Sequence, residues 1–288
     1  MPVRLAPAKI NLALVVGALR PDGKHELATV YQRIDLADEV GLEAAPAGSP
    51  AGIEVAGFAE DTLVARALEA VLAAAGDGTA AAGAPTGSAT PAWRARIEKR
   101  IPVAAGLGGG SSDAAAALLL ANEALGGAVP ARELRRIAAT LGSDVPFFLE
   151  QQPCLGTGDG SELTPLPGLP LGYVILLVRP AGVDKPSTGA IYAAFDARGG
   201  ARGWDGRWAA LQAALAAVHA PHDLAALPLN DLASSPLSAR LLAEGAFRAD
   251  VTGAGPLLYG LFDDEAAARA AASRLAALGE AWVCRPTC

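Results

Sequence analysis

The sequence predicts an α+β protein of two lobes, and three observations carry that expectation. At 288 residues the chain exceeds one typical domain. Extended and helical patterns alternate through the first half. The second half runs in the order β-α-β-β-α-β, which fits a ferredoxin-like sandwich. The expected division falls near residue 160, giving lobes 1–160 and 161–288.

Taken in order, residues 8–16, "AKINLALVV", and 37–45, "ADEVGLEAA", read as extended. The apolar run at 10–19 is too short to span a bilayer and has no small-residue cleavage site after it, so it reads as a strand rather than a targeting segment. Residues 62–76 carry apolar positions at helical spacing and end at Gly76. The stretch 76–92, rich in Gly, Ala, Pro and Thr without periodicity, reads as a flexible surface loop. "WRARIEKRI" (93–101) alternates as a strand does. A glycine stretch and a long helix follow, then a second helix over 130–142 with Pro at its start and Gly at its end. Residues 150–170 are rich in Gly and Pro and read as the passage between lobes. Beyond it come a strand at 172–178, helical pieces near 187–195, 208–219 and 236–244, and strands in "FRADVTG" and "LLYGLF". A helix over 265–278 and a terminal strand in "AWVC" complete the order.

Composition narrows the function. Hydrophobic residues make up 52% of the chain but aromatic ones only 5%, so the core is built mainly from Ala, Leu and Val. A net charge of −7 argues against a nucleic-acid partner, which calls for clustered Lys and Arg. It leaves room for a small phosphorylated ligand, which needs only local positive potential. Cys154, Cys284 and Cys288 form no metal-binding spacing and suit free thiols in a reducing cytosol. The expectation is a cytoplasmic protein without a membrane partner, a monomer or weak homodimer.

Residues 102–122 read "PVAAGLGGGSSDAAAALLLAN". Glycine permits positive φ and lets successive N–H groups turn inward. At a helix start such a loop adds the unsatisfied first-turn amides and the positive end of the helix dipole. Together they form an anion site that suits a di- or triphosphate. Ser111 and Ser112 are candidate N-caps and offer hydroxyls to phosphate or Mg²⁺. Read from the residues alone, a plain Gly-rich turn with a serine cap is the alternative. Neither a Walker-type loop nor a dinucleotide fingerprint is present, and the protein-kinase motif set is missing too.

That stretch resembles the phosphate loop of the GHMP kinase superfamily. "APAKINLAL" (6–14), "RPDGKHELATVYQRIDLADEV" (20–40) and "LGSDVPFFL" (141–149) narrow the resemblance to the branch whose acceptor is 4-diphosphocytidyl-2-C-methyl-D-erythritol. The resemblance runs along nearly the whole chain and is weaker in the C-terminal half. It implies an N-terminal lobe like ribosomal protein S5 domain 2 and a ferredoxin-like C-terminal lobe. The implied activity is ATP- and Mg²⁺-dependent phosphorylation of the acceptor's 2-hydroxyl, in the non-mevalonate route to isoprenoids.

The resemblance also implies roles for residues. Asp144 would accept the hydroxyl proton and Lys9 would be the catalytic lysine beside it, in a cleft between lobes. Read without it, Asp144 is a turn residue before Val-Pro and Lys9 a strand-end charge. ATP would be met by Lys99, Pro102, Gly106, Leu107, Gly108, Gly109, Gly110, Ser111 and Ser112, with Ser111 or Ser112 on Mg²⁺. The acceptor would be met by Asn11, Lys24, His25, Asp159 and Tyr192, with His25 at the cytosine edge and Tyr192 stacked on the base; an apolar helix-face residue is the other reading of Tyr192. Gly158 and Gly160 would line the acceptor site, and "VTGAGP" (251–256) would be the C-terminal glycine motif. Three positions depart from the family pattern. Lys24 stands where a cytosine-stacking Tyr is usual, Thr62 where Asn is common, and Thr252 with Ala254 where the motif normally carries serine. Another GHMP kinase acting on a mevalonate-type acid, homoserine or a sugar is the first rival reading, and a silent nucleotide-binding protein the second.

Overall fold

The computed structural model describes residues 1–45, 52–58, 62–78, 92–183 and 186–288. Most of the loop expected over 76–92 lies outside the described residues. Two long strands open the chain, β1 (Val3–Leu19) and β2 (His25–Ala44), and they pair with each other. The two extended segments expected at 8–16 and 37–45 are parts of these longer strands.

The chain forms two compact units, one comprising Met1–Ala8, Leu36–Pro102 and Gly108–Glu150, the other Lys9–Asp35, Val103–Leu107 and Gln151–Cys288. These units are interleaved along the chain, because β1 and β2 each contribute to both.

In the first unit, the second half of β2 pairs antiparallel with β4 (Trp93–Glu98), from Glu39↔Glu98 to Ala44↔Trp93, and β3 (Ile53–Ala56) pairs parallel with β4. The alternation read from 93–101 is real. Trp93, Ala95 and Ile97 are buried while Arg94, Arg96 and Glu98 turn away, and the strand stops at Glu98. Three helices pack together here, α1 (Thr62–Gly78), α2 (Gly109–Ala124) and α3 (Ala131–Leu141). α2 buries nine residues on most of its faces, five of them alanines, and its small side chains let the neighbouring helices approach closely. Asn122 ties the end of α2 to the next turn, donating to the Val129 carbonyl at 3.0 Å and accepting its N–H at 2.8 Å. The expected caps of α3, Pro130 and Gly142, are both in place.

In the second unit, the first half of β2 pairs with β5 (Cys154–Thr157), which pairs antiparallel with β6 (Glu162–Pro165). Residues 150–170 are therefore not a plain passage between lobes; their centre is a β-hairpin. Gly158 (φ 67°) and Gly160 (φ 98°) take the left-handed conformations of its turn, and the Asp159 carboxylate accepts the Ser161 N–H. The turn residues hid two short strands whose own patterns are only four residues long.

β7 (Val174–Pro180), α4 (Thr188–Ala197), α5 (Trp204–Ala217), α6 (Ser238–Ala243), β8 (Arg248–Val251), β9 (Leu258–Phe262), α7 (Glu265–Arg274) and β10 (Gly279–Cys284) follow, then a short β11 (Pro286–Thr287) on β2. Four of these strands form an antiparallel sheet in the order β10-β7-β9-β8. That is the 4-1-3-2 order of a ferredoxin-like sandwich, as the sequence predicts. Val174, Leu176 and Val178 from one face of β7 pack with Phe262, Ala268 and Ala271. The helix expected over 265–278 ends as an α-helix at Arg274 and closes with a 3-10 turn at Ala276–Leu278.

Candidate active site

In the first unit, the glycine stretch enters α2 differently from expectation. The N-cap is Gly108, in the left-handed conformation at φ 71°, and α2 starts at Gly109. Ser111 and Ser112 lie inside the first turn and are not N-caps, because the left-handed glycine lets the helix begin earlier. The Ser112 N–H already donates to the Gly108 carbonyl at 2.9 Å. Gly109 and Gly110 hold the first two helical positions, where N–H groups have no partner within a helix. The Ser112 hydroxyl is buried and has no hydrogen-bond partner among the described residues. A first turn with free amides and an unspent hydroxyl is suited to phosphate oxygens.

Lys99, just past β4, sends its ammonium to two carboxylates, Asp38 Oδ2 at 2.5 Å and Asp113 Oδ2 at 2.7 Å. Burial alone would lower its pKa; hydrogen bonds to Asp113 and Asp38 and their charges outweigh burial and raise it. The Asp38 Oδ1 accepts the N–H groups of Arg100 at 2.5 Å and Ile101 at 2.8 Å. Neither aspartate was singled out from sequence. Asp113 stands alone in an apolar helical run, a position that demands a buried partner, and that was the available signal. Half-buried Pro102 closes this segment. Asp144 is half-buried on the turn between α3 and the 3-10 helix Pro146–Leu149, where the Val145 N–H donates to the Gly142 carbonyl at 3.1 Å.

In the second unit, Lys9 on β1 is buried. Its ammonium donates to Asn11 Oδ1 at 2.7 Å and lies 5.7 Å from the centre of the Tyr31 ring. Its N–H donates to the carbonyl of buried Leu107 at 2.9 Å. Asn11 is equally engaged. Its Oδ1 also accepts the Gly253 N–H at 3.0 Å, and its Nδ2 donates to Thr29 Oγ1 at 2.7 Å. The Thr29 hydroxyl then donates to the Ala13 carbonyl at 2.8 Å. Thr252 Oγ1 accepts the Asn11 N–H at 3.1 Å, so the threonine that departs from the serine pattern still serves the motif. Gly106 (φ 81°) lies so close to this segment that an added Cβ would sit 2.4 Å from the Thr252 carbonyl oxygen.

The acceptor residues expected from the resemblance also gather in this unit. The buried His25 ring stacks on half-buried Tyr192 with centroids 4.7 Å apart and meets Phe195 edge-on. Its Nε2 lies 2.9 Å from Asp196 Oδ1, a partner that sequence reading missed. Lys24 forms an ion pair with Asp159, whose other oxygen accepts the Ser161 hydroxyl at 2.6 Å. In place of a stacking ring, then, this chain has a charge pair.

Two family descriptions match the chain, GHMP kinases N terminal domain over residues 62–152 and GHMP kinases C terminal over 208–281. The chain is similar to the 4-diphosphocytidyl-2-C-methyl-D-erythritol kinase of Geobacter sulfurreducens, 36% identical over 293 residues and 94% of each chain. It is 37% identical over 291 residues to that of Salinispora arenicola, covering 97% of this chain and 88% of that one. A solved 4-(cytidine 5'-diphospho)-2C-methyl-D-erythritol kinase matches with a TM-score of 0.75 at 34% identity, covering 100% of both chains. A mevalonate kinase structure reaches a TM-score of 0.74 at 12% identity, which speaks for the fold alone.

Proposed function

We propose a function from one premise: the chain belongs to the 4-diphosphocytidyl-2-C-methyl-D-erythritol kinase family of GHMP kinases. It is an ATP-dependent small-molecule kinase of isoprenoid precursor biosynthesis. The observation that carries the nucleotide part is the first turn of α2, capped by left-handed Gly108 with a buried, unspent Ser112 hydroxyl. The family domain matches fall on either side of the 160 boundary, which supports the sequential lobes 1–160 and 161–288 as the family division.

In the reaction we assign, the acceptor's 2-hydroxyl oxygen attacks the γ-phosphorus of ATP. The bond from that phosphorus to the bridging oxygen breaks, ADP leaves, and the hydroxyl proton passes to the Asp144 carboxylate. A carboxylate is a weak base, so this transfer comes late and Asp144 serves as much to aim the hydroxyl. Lys9 is the cation for the transferring phosphoryl group. Its ammonium is buried and held by Asn11, so its charge acts in a place poor in water. Asn11 thus positions Lys9 rather than reaching for the acceptor. Mg²⁺ fits the donor chemistry of Ser112, and when bound it would neutralise charge on the phosphates. Burial and the absence of a partner favour Ser112 over Ser111 for that contact. His25, Tyr192, Lys24 and Asp159 are assigned to the cytidine diphosphate portion.

No helix among the described residues is long and apolar enough to cross a membrane. We assign the enzyme to the cytoplasm and its partners to small molecules. The test is incubation with ATP and Mg²⁺ against a panel of the diphosphocytidyl-methylerythritol acceptor, mevalonate and homoserine. Phosphorylated product from the first alone is expected. Product from another acceptor, with none from the first, would move the chain to a different GHMP activity.

A further inference from the structure

Asp38, Lys99 and Asp113 form a buried charged cluster immediately behind the phosphate-binding turn. Both carboxylates have fully buried side chains, and the ammonium between them is only 17% exposed. The cluster joins three elements, with Asp38 on β2, Lys99 just past the end of β4 and Asp113 in the first turns of α2. It also abuts the glycine that starts the helix. A Cβ on Gly109 would lie 3.3 Å from Lys99 Nζ, 3.2 Å from Ile101 Cγ2 and 3.5 Å from Asp38 Oδ2.

We propose that Lys99 is a positioning residue: it holds Asp38 and Asp113 together as a clamp that seats the start of α2, and it acts on nucleotide binding through that turn. The proposal rests on the kinase reading above but assigns Lys99 a different task from direct contact with the nucleotide. The ammonium makes short hydrogen bonds to both aspartates and also lies 5.6 Å from the centre of the Phe58 ring. Removing that ammonium would leave two carboxylates in one buried place without the cation between them, and each raises the other's pKa. Arg100, the next cation, is turned toward Glu39 and Glu98 at 2.7 and 2.9 Å and offers Asp38 only its N–H.

The clamp account therefore makes a prediction about protons. In Lys99→Met one carboxylate is pushed above its ordinary range. An acid raised in this way stabilises the fold below its unfolded value, and that stability is lost as pH rises through the folded value. The melting temperature of Lys99→Met should climb more steeply than that of the wild type as pH falls from 8 to 5. Replacing Asp113 as well removes the conflict.

The experiment compares wild type, Lys99→Met and Lys99→Met/Asp113→Asn by melting across that pH range and by calorimetric titration with MgATP and with inorganic triphosphate. The clamp predicts that Lys99→Met weakens both ligands by the same factor, about tenfold for one lost charge-assisted interaction. It also predicts that the double variant regains at least half of the lost melting temperature. Loss for ATP with triphosphate unchanged, or a pH-independent deficit that Asp113→Asn does not relieve, would overturn it. If Lys99→Met does not fold, the double variant decides alone: equal factors for the two ligands support the clamp, and a loss confined to ATP contradicts it. A wild type that binds neither ligand refutes the kinase reading instead.

Discussion

Asn11 shows how one side chain can hold a buried ammonium in place. Its amide oxygen takes the Lys9 ammonium and the Gly253 N–H, and its amide nitrogen is spent on Thr29. Removing it would leave the buried ammonium to find a new direction, and small misplacements of a charged group are costly in rate. Asn11→Ala should lower kcat by on the order of 10²-fold with little change in the KM for ATP. Steady-state kinetics over both substrates checks this, and a change confined to the acceptor KM would return Asn11 to the acceptor site. Sequence reading found Lys9 and Asn11 through their motif. It could not see that two positions apart on a strand place both side chains on one face with a hydrogen bond between them. Asp196 was illegible for the opposite reason: it meets His25 from 171 residues away.

At the scale of elements, the turn into α2 is the feature most legible in the sequence, yet its detail was misread. Five consecutive Gly and Ser residues, 108–112, marked a helix start without saying which one caps it. The left-handed Gly108 settled that, and the serines fell inside the helix. A Cβ on Gly109 would sit tightly against Ile101 and Lys99, at 3.2 and 3.3 Å. Gly109→Val should weaken MgATP binding by about tenfold or more, the size of one lost charge-assisted hydrogen bond. Unchanged affinity in a titration would remove this turn from the nucleotide site. Gly106 stands under a harder constraint, with positive φ and a carbonyl oxygen where Cβ would go. Gly106→Ala should destabilise the fold by roughly 1–3 kcal/mol, read as a lower midpoint in denaturant. The hairpin of β5 and β6 was missed because turn residues make up much of so short a pair of strands. The ferredoxin-like sheet was legible because β7 and β9 are largely apolar runs and helical segments lie between them.

Across the whole molecule, chemistry that looks available is largely shut away. Cys154 and Cys284 are buried, and only Cys288 is exposed. Burial, with help from Asp35, pushes the Cys284 thiol from its usual 9.0 up to about 12. The thiol state therefore adds stability that is complete below about pH 9 and fades as pH rises toward 12. A thiol reagent at pH 8 should modify one cysteine in the native protein and three after denaturation. Two or more reacting natively would contradict the burial described. The net charge of −7 is compatible with an anionic ligand because the charge that such a ligand needs is local, as at backbone amides and a helix end. An interleaved division into units was not legible, since nothing in a linear pattern shows that β1 and β2 serve both.

The most direct test of the central claim is product formation by Asp144→Asn beside the wild type, with ATP, Mg²⁺ and the diphosphocytidyl-methylerythritol acceptor, and ATP affinity measured in parallel. Loss of a positioned base predicts a fall in kcat of about 10²–10⁴-fold with ATP affinity kept. Turnover within a few-fold of wild type would contradict the assignment of Asp144 to the reacting hydroxyl.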